Sequence, residues 1–284
     1  MLPARLESVK DKLECPACRG GLVFETGKAS CRQCAREYDI RNGKIYFASV
    51  PSHTDSLDLL KERLRGALGK YYYSIGKKVF APVFPFDFKK QLFGTAGMSE
   101  QTVVDLGSGN VRMGESVICV DLFDYDAVDI VCDIDALPFR EGSVDVFVSR
   151  GVLEHVPRPE RVAAEISVRT KPGGLGFHMV PFLFPFHASP HDYQRFTHKG
   201  IEALFEGFEI LDLRNTAGPV SLMLLVLIEF FSIIFSFGNG RTKNLVYLLF
   251  CFLLFPVKYL DFPFVNRQAF LPLAPTIFAV MKKK

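Results

Sequence analysis

The stretch Val103-Val104-Asp105-Leu106-Gly107-Ser108-Gly109-Asn110 decides the fold. An apolar run carries an acid near its end and then enters a G-x-G turn. A buried parallel strand hands its chain to a nucleotide-like ligand in this way. The glycines matter because a side chain at either position would hold such a ligand away from the backbone. A tight glycine turn also follows many strands that serve no ligand, so the reading depends on what comes next.

From Gln101 to Phe208 strand and helix patterns alternate, which predicts a parallel sheet with crossovers. Strands are expected at Val103–Leu106, Val117–Val120, Val128–Val131, Val144–Ser149 and Leu175–Val180. A helix is expected at Arg158–Thr170, closed by Lys171-Pro172-Gly173-Gly174. Asp105, Asp121 and Asp133 are then expected just beyond the carboxyl ends of three strands, the edge at which open α/β sheets bind ligands. An acid after the second strand suits ribose hydroxyls, one after the third suits an adenine amino group, and Asp105 suits an ammonium. Only Asn110–Ser116 separate the glycine turn from the second strand, so the helix between them is expected to be one turn or absent. A dinucleotide dehydrogenase would want the longer G-x-G-x-x-G turn opening a real helix.

In order along the chain, Asp105-Leu-Gly107-Ser-Gly109, Asp121, Cys132-Asp133-Ile134 with Ala136–Phe139, Ser149–Val156 and Lys171–Gly174 resemble the motifs of class I S-adenosylmethionine-dependent methyltransferases of the small-molecule type. The resemblance implies a Rossmann-like α/β sheet with helices on both faces. It implies S-adenosyl-L-methionine as cofactor, contacted by Asp105, Gly107, Ser108, Gly109, Asp121, Leu122, Asp133, Ile134, Arg150 and Leu153. The segment with Arg150, Leu153 and His155 would cover that cofactor. His155 is one candidate base. A second cluster, His187 to Thr197, follows the fifth strand, where substrate loops are expected. There His191 beside Asp192 is read as an oriented base, and Tyr193 and Arg195 as ligands for a polar or phosphate head. Thr197 is placed to cap a helix over Lys199–Phe205.

Ahead of this block stand Cys15-x2-Cys18 and Cys31-x2-Cys34, with twelve residues between the pairs. Two such knuckles suit tetrahedral thiolate coordination of a structural zinc, with no open position for catalysis. Leu22-Val23-Phe24 reads as a hairpin strand, and Asn42-Gly43 as a hairpin turn. Residues Leu13–Phe47 resemble the small zinc-ribbon proteins that activate methyltransferases. Cys119, Cys132 and Cys251 read as buried small apolar residues.

The ends of the chain are read more coarsely. Residues 1–50 are assigned to the ribbon, 51–100 to a helical and aromatic linker, 101–214 to the cofactor-binding domain and 215–284 to an apolar hairpin with a basic tail. A helix is expected at Leu57–Leu68. Tyr71–Tyr73 and the Phe/Pro run 80–88 are expected to pack their rings on the main domain. Val220–Phe237 and Leu245–Phe255 are strongly apolar yet barely reach or fall short of the roughly 20 residues of a membrane span. Crossing as a hairpin would put Arg241 and Lys243 outside. An in-plane or re-entrant hairpin over residues 219–260 is therefore expected, with Lys282–Lys284 near anionic lipid.

The net charge is only +3, which argues against a dedicated nucleic-acid binder. The N-terminus shows no apolar leader, so a cytoplasmic enzyme peripheral or monotopic on the inner face of the cell membrane is expected. Its acceptor is expected to be small or lipid-like. The competing readings are a non-catalytic scaffold of the same fold, and a modifier of RNA or protein guided by the ribbon.

Overall fold

The computed structural model of the 284-residue chain describes every residue except 1, 52–65, 67–68, 70, 72–76, 95–100 and 188–190. The helix expected at Leu57–Leu68 lies outside the described residues apart from Gly66, as do Tyr72 and Tyr73. In chain order, α1 (Ala4–Glu7) precedes the ribbon strands β1 (Leu22–Glu25), β2 (Lys28–Cys31), β3 (Glu37–Arg41) and β4 (Lys44–Tyr46). Short helices α2 (Lys77–Phe80) and α3 (Phe88–Gly94) lead to β5 (Val103–Leu106), β6 (Ile118–Asp121), β7 (Ile130–Val131) and β8 (Val144–Arg150). Then follow α4 (Pro159–Arg169), β9 (Thr170–Pro181), α5 (His198–Leu204), β10 (Phe208–Asn215), α6 (Pro219–Ile234), α7 (Gly240–Leu254) and β11 (Thr276–Lys283).

One sheet runs through the molecule in the order β1-β2-β3-β4-β7-β6-β5-β8-β9-β11-β10. Its centre, β7-β6-β5-β8-β9, is parallel, and β11 enters antiparallel between β9 and β10. Alternation along each strand sorts the side chains onto two faces. Val104, Leu106, Phe147, Ile277 and Ala279 face one core with α4 and α5, while Val103, Val146, Val148, Phe278 and Val280 face another with α3.

The segment after Gly109 forms no helix up to Val117. On the second face its place is filled by Phe88 and Leu92 of α3, packed with Met113, Val117 and Phe177. The aromatic run thus packs on the sheet as expected, with Phe86 and Phe88 each about 5 Å, ring to ring, from Phe278. The short crossover is pinned by an arginine instead of a helix. Arg112 forks onto the buried Asp129 (2.8 and 2.9 Å) and also donates to the carbonyls of Val117 and Ala127. Arg5 and the Cys119 N–H bind the same carboxylate. Replacing Arg112 by Met leaves that buried charge with Arg5 as its only side-chain partner among the described residues. A loss of about 2–4 kcal/mol is expected in denaturant unfolding.

The ribbon is built into the main sheet: β4 pairs in parallel with β7 (Ile45 with Ile130, Tyr46 with Val131), and Ile45 is wholly buried in the main core. Arg19 and Arg169 tie it further, through Glu165 and Glu14. Two sequence expectations need correction. The basic tail is not a surface appendage. Residues 276–283 are β11, Lys283 donates to Ser167 Oγ, and Lys284 donates to the Glu206 carbonyl. The hairpin is therefore an insertion between two strands of the sheet. Finally, the Lys171–Gly174 turn is absorbed into the long strand β9, paired there through Thr170 and Leu175.

The inserted hairpin is held at its base by buried polar groups. Asp261 accepts from the N–H groups of Gly218, Val220 and Ser221, capping the start of α6 from a distance. The buried Lys258 ammonium donates to the carbonyls of Lys78 and Ala81. Leu224, Ile228 and Cys251 form the seam between α6 and α7. Beyond that seam Val226, Phe230, Ile233, Phe237, Leu249 and Phe252 are exposed. At 16 and 15 residues the two helices measure about 24 and 22 Å, and no described helix is long and apolar enough to cross a membrane.

Candidate active site

The glycine turn does two different jobs. Gly107 and Gly109 both have positive φ (+60° and +58°), the region that favours glycine. A Cβ on Gly107 would meet Val152 Cγ2 at 2.5 Å, so this glycine admits the covering segment. A Cβ on Gly109 would meet nothing within 4 Å, so here the backbone is open to a ligand. Asp121 holds the turn, accepting from the Gly109 N–H at 2.8 Å on one oxygen and from the Phe123 N–H at 3.0 Å on the other. A carboxylate has about four lone-pair sites, so both oxygens retain capacity for ribose hydroxyls.

Asp105 lies inside β5 and not past its end, and its side chain is fully buried. Arg150 donates to Oδ2 at 2.9 Å, while Oδ1 has no partner among the described residues. Burial pushes the Asp105 carboxyl up to about 6, against the pull of the Arg150 guanidinium. Ser108, Ile134 and Leu153 are buried around this edge and Leu122 is partly covered. Asp133 stands exposed at the rim, accepting from the Asp135 N–H.

On the other side of the edge, two segments distant in sequence are stitched together. The Tyr193 N–H donates to the Glu154 carbonyl, Gln194 donates to the carbonyls of Leu153 and Val156, and His155 Nδ1 meets the His191 carbonyl at 2.5 Å. The structure brings His155 and His187 together, ring centroids 5.2 Å apart, but it does not pair His191 with Asp192. Asp192 takes a two-pronged contact from Arg195 and the His187 N–H at 2.7 Å, because neighbouring side chains here leave the backbone in different directions. Burial opposes its ionisation, but Arg195 and His187 hold the carboxyl down to about 2. Arg195 is likewise spent: beyond Asp192 it donates to the carbonyls of Phe184, Pro185 and Gln194, so it has no donor left for a phosphate. Tyr193 and the His191 ring are exposed, 5.7 Å apart. Thr197 caps α5 as expected, accepting from the Gly200 N–H. Ala188, Ser189 and Pro190 lie outside the described residues.

The four ribbon cysteines converge so that one ligand atom of each lies within 4.8 Å of the others. Cys15 and Cys34 sulfurs are 3.7 Å apart, Cys18 and Cys31 sulfurs 3.4 Å. Tetrahedral thiolates at the usual zinc distance stand ~3.8 Å apart, so the cluster fits that ion. The Gln33 and Cys34 N–H groups point at the Cys31 sulfur, as a knuckle that favours thiolate requires.

Several site residues escape a reading of the sequence. Lys44 donates to Asp124 Oδ1 at 2.6 Å and to the Tyr125 carbonyl, and the Tyr46 hydroxyl donates to Asp124 Oδ2. The ribbon thereby clamps the loop that follows Asp121. His178 is buried with its Nδ1 2.8 Å from Ser149 Oγ and stacked on Phe205, and burial presses its pKa down to about 3. No local motif marks either contact; only the opposite charges of Lys44 and Asp124 hint at the first.

Residues 93–177 match the family model described as "Methyltransferase domain". The matched stretch runs from the end of α3 through the glycine turn and β5–β8 into β9. Relatives in Mycobacterium avium and Mycobacterium tuberculosis, each described as an uncharacterized methyltransferase, are 55% identical over 40 residues. That stretch is 14% of this chain, and the chain spans about 16% of the length of those relatives. Among solved structures, a putative sarcosine dimethylglycine methyltransferase from Galdieria sulphuraria aligns with TM-score 0.49 and 12% identity, covering 79% of this chain and 98% of that one. A Haemonchus contortus phosphoethanolamine N-methyltransferase, in complex with S-adenosyl-L-methionine, aligns with TM-score 0.44 and 17% identity over 77% of this chain and 59% of that one.

Proposed function

We propose that the chain is an S-adenosylmethionine-dependent methyltransferase whose acceptor is a small or lipid-like molecule met at a membrane surface. The observation that carries the cofactor assignment is the unpartnered, buried Asp105 Oδ1 beside the open backbone of Gly109. In this reading Asp105 accepts from the ammonium of the methionine end, Asp121 from the ribose hydroxyls and Asp133 from the adenine amino group. Ile134, Leu122 and Leu153 supply apolar cover. When bound, the cofactor supplies an activated methyl group on a sulfonium, and the chain's own task is alignment and exclusion of water. The four ribbon cysteines hold a structural zinc.

Calorimetry with S-adenosylhomocysteine tests the reading; no binding at high micromolar ligand would favour a scaffold. The pH dependence tests Asp105 itself. Its free-state pKa is raised to about 6, and it must be ionised to hold an ammonium, so protonation competes with the ligand. Affinity is expected to be level above pH 7 and to fall about tenfold per unit below pH 6. A flat profile from pH 5 to 8 would remove Asp105 from that role.

Membrane contact is supported by the exposed apolar outer face of α6 and α7, with Phe237 at the tip 90% exposed. A hairpin too short to span but apolar on its free face suits insertion in the plane of the interface. Flotation with anionic liposomes is expected to carry the chain to the top of the gradient, and Phe230→Glu with Phe237→Glu to leave it at the bottom. Equal flotation of both proteins would refute the contact.

A further inference from the structure

Glu154 is a buried carboxylate with an unfilled demand. Its residue is 1% exposed, and Oε2 has no hydrogen-bond partner among the described residues. Two imidazoles approach the other oxygen: His187 Nε2 stands 3.6 Å and His155 Nε2 3.9 Å from Oε1. Both distances exceed hydrogen-bond reach, so neither ring fills a lone pair of the carboxylate. A buried carboxylate oxygen without a hydrogen bond is costly, so Oε2 calls for a further partner.

The far side of each ring says what. His155 Nδ1 is taken by the His191 carbonyl at 2.5 Å, a contact that requires Nδ1 to carry the proton and leaves Nε2 with a lone pair. His187 Nδ1 has the Pro185 carbonyl at 3.2 Å and Asp192 Oδ2 at 3.5 Å. Donation to either again frees Nε2. Arg195 Nη2 also lies 3.4 Å from this Nδ1, but its two hydrogens go to the shorter contacts with the Pro185 carbonyl and Asp192. Two imidazoles whose outward Nδ1–H groups are held by backbone carbonyls, and whose Nε2 atoms converge on one carboxylate oxygen, have the outer-shell arrangement of a metal site. The three ligand atoms lie within 4.8 Å of one another.

We propose that Glu154, His155 and His187 bind one divalent first-row transition ion, separate from the ribbon cluster. Two nitrogens and one carboxylate oxygen suit zinc, cobalt, iron or manganese, and do not suit calcium or magnesium, which take oxygen shells. Three protein ligands leave positions open for a substrate oxygen, whose pKa the ion lowers. That last role rests on the methyl-transfer reading, whereas the binding does not.

The test uses the full chain, first given one equivalent of zinc, which the four thiolates take, and then titrated with cobalt(II) without cofactor or acceptor. One further equivalent is expected to bind, with weak visible d–d bands and no thiolate-to-cobalt charge transfer in the near ultraviolet. Glu154→Gln and His187→Ala are each expected to weaken this uptake at least tenfold. His187 is partly exposed, so its variant keeps the fold even if the Glu154 variant does not, and circular dichroism verifies both. Equal uptake by the folded variants, charge-transfer bands at the second equivalent, or no second equivalent at all would each overturn the site. Because no methyl donor is present, failure here leaves the cofactor reading standing, and the converse holds.

Discussion

Replacing Asp121 by Ala is expected to weaken binding of S-adenosylhomocysteine by roughly 30- to 700-fold. The side chain serves twice. It would accept the ribose hydroxyls, and it already accepts from the Gly109 and Phe123 N–H groups that shape the turn and the loop behind it. Hydrogen bonds to a charged acceptor contribute about 1.5–3 kcal/mol each, and water replaces part of what the two ribose hydroxyls lose, so the net loss is about 2–4 kcal/mol. Asp121→Asn keeps one acceptor oxygen and should fall between the two. Calorimetry gives the affinities, and a melting curve separates lost ligand contacts from a collapsed turn. An Asp121→Ala protein that melts normally and binds within threefold of the native chain would rule out the ribose role.

The second large effect is expected on removing the zinc proposed for the ribbon cysteines. A structural zinc contributes about 10–16 kcal/mol in isolated fingers at neutral pH, so Cys31→Ser or exhaustive chelation should unfold the ribbon. The damage should not stop there. The ribbon contributes β4 to the main sheet, and Lys44 and Tyr46 hold Asp124 in the loop after Asp121. Burial opposes ionisation of Asp124, but these partners keep its carboxyl below the usual range, a sign that the clamp is engaged. Cofactor affinity is therefore expected to fall about tenfold together with the melting temperature. An unchanged melting curve after the four thiols become reactive to a thiol reagent would argue against a structural metal.

Much of this architecture is legible from local pattern. The run Val103–Asn110, the strand periodicity and the paired CxxC knuckles each rest on neighbours in sequence, and each appears in the structure as expected. What escapes depends on side chains brought together across more than a hundred residues or across the sheet. Arg5 reaches Asp129 over 124 positions, and nothing near either residue announces it. Asp192 next to His191 resembles a dyad only while adjacency in sequence stands for adjacency in space, whereas its true partners are Arg195 and His187. The final strand reads as a basic tail because three lysines at one end outweigh the alternation of Ile277, Phe278, Ala279 and Val280, residues that fill both cores.

The position of β11 has a consequence for biosynthesis. Its two neighbours, β9 and β10, leave the ribosome first, followed by both greasy helices, and only then by the strand that fits between them. Until it arrives, the nascent chain must keep a slot open between β9 and the edge strand β10. Premature zippering of β9 onto β10 would expel the latecomer and strand the helices on a misassembled platform. Vectorial synthesis therefore favours an early resting place for those helices, and a nearby bilayer would provide one before the sheet is closed.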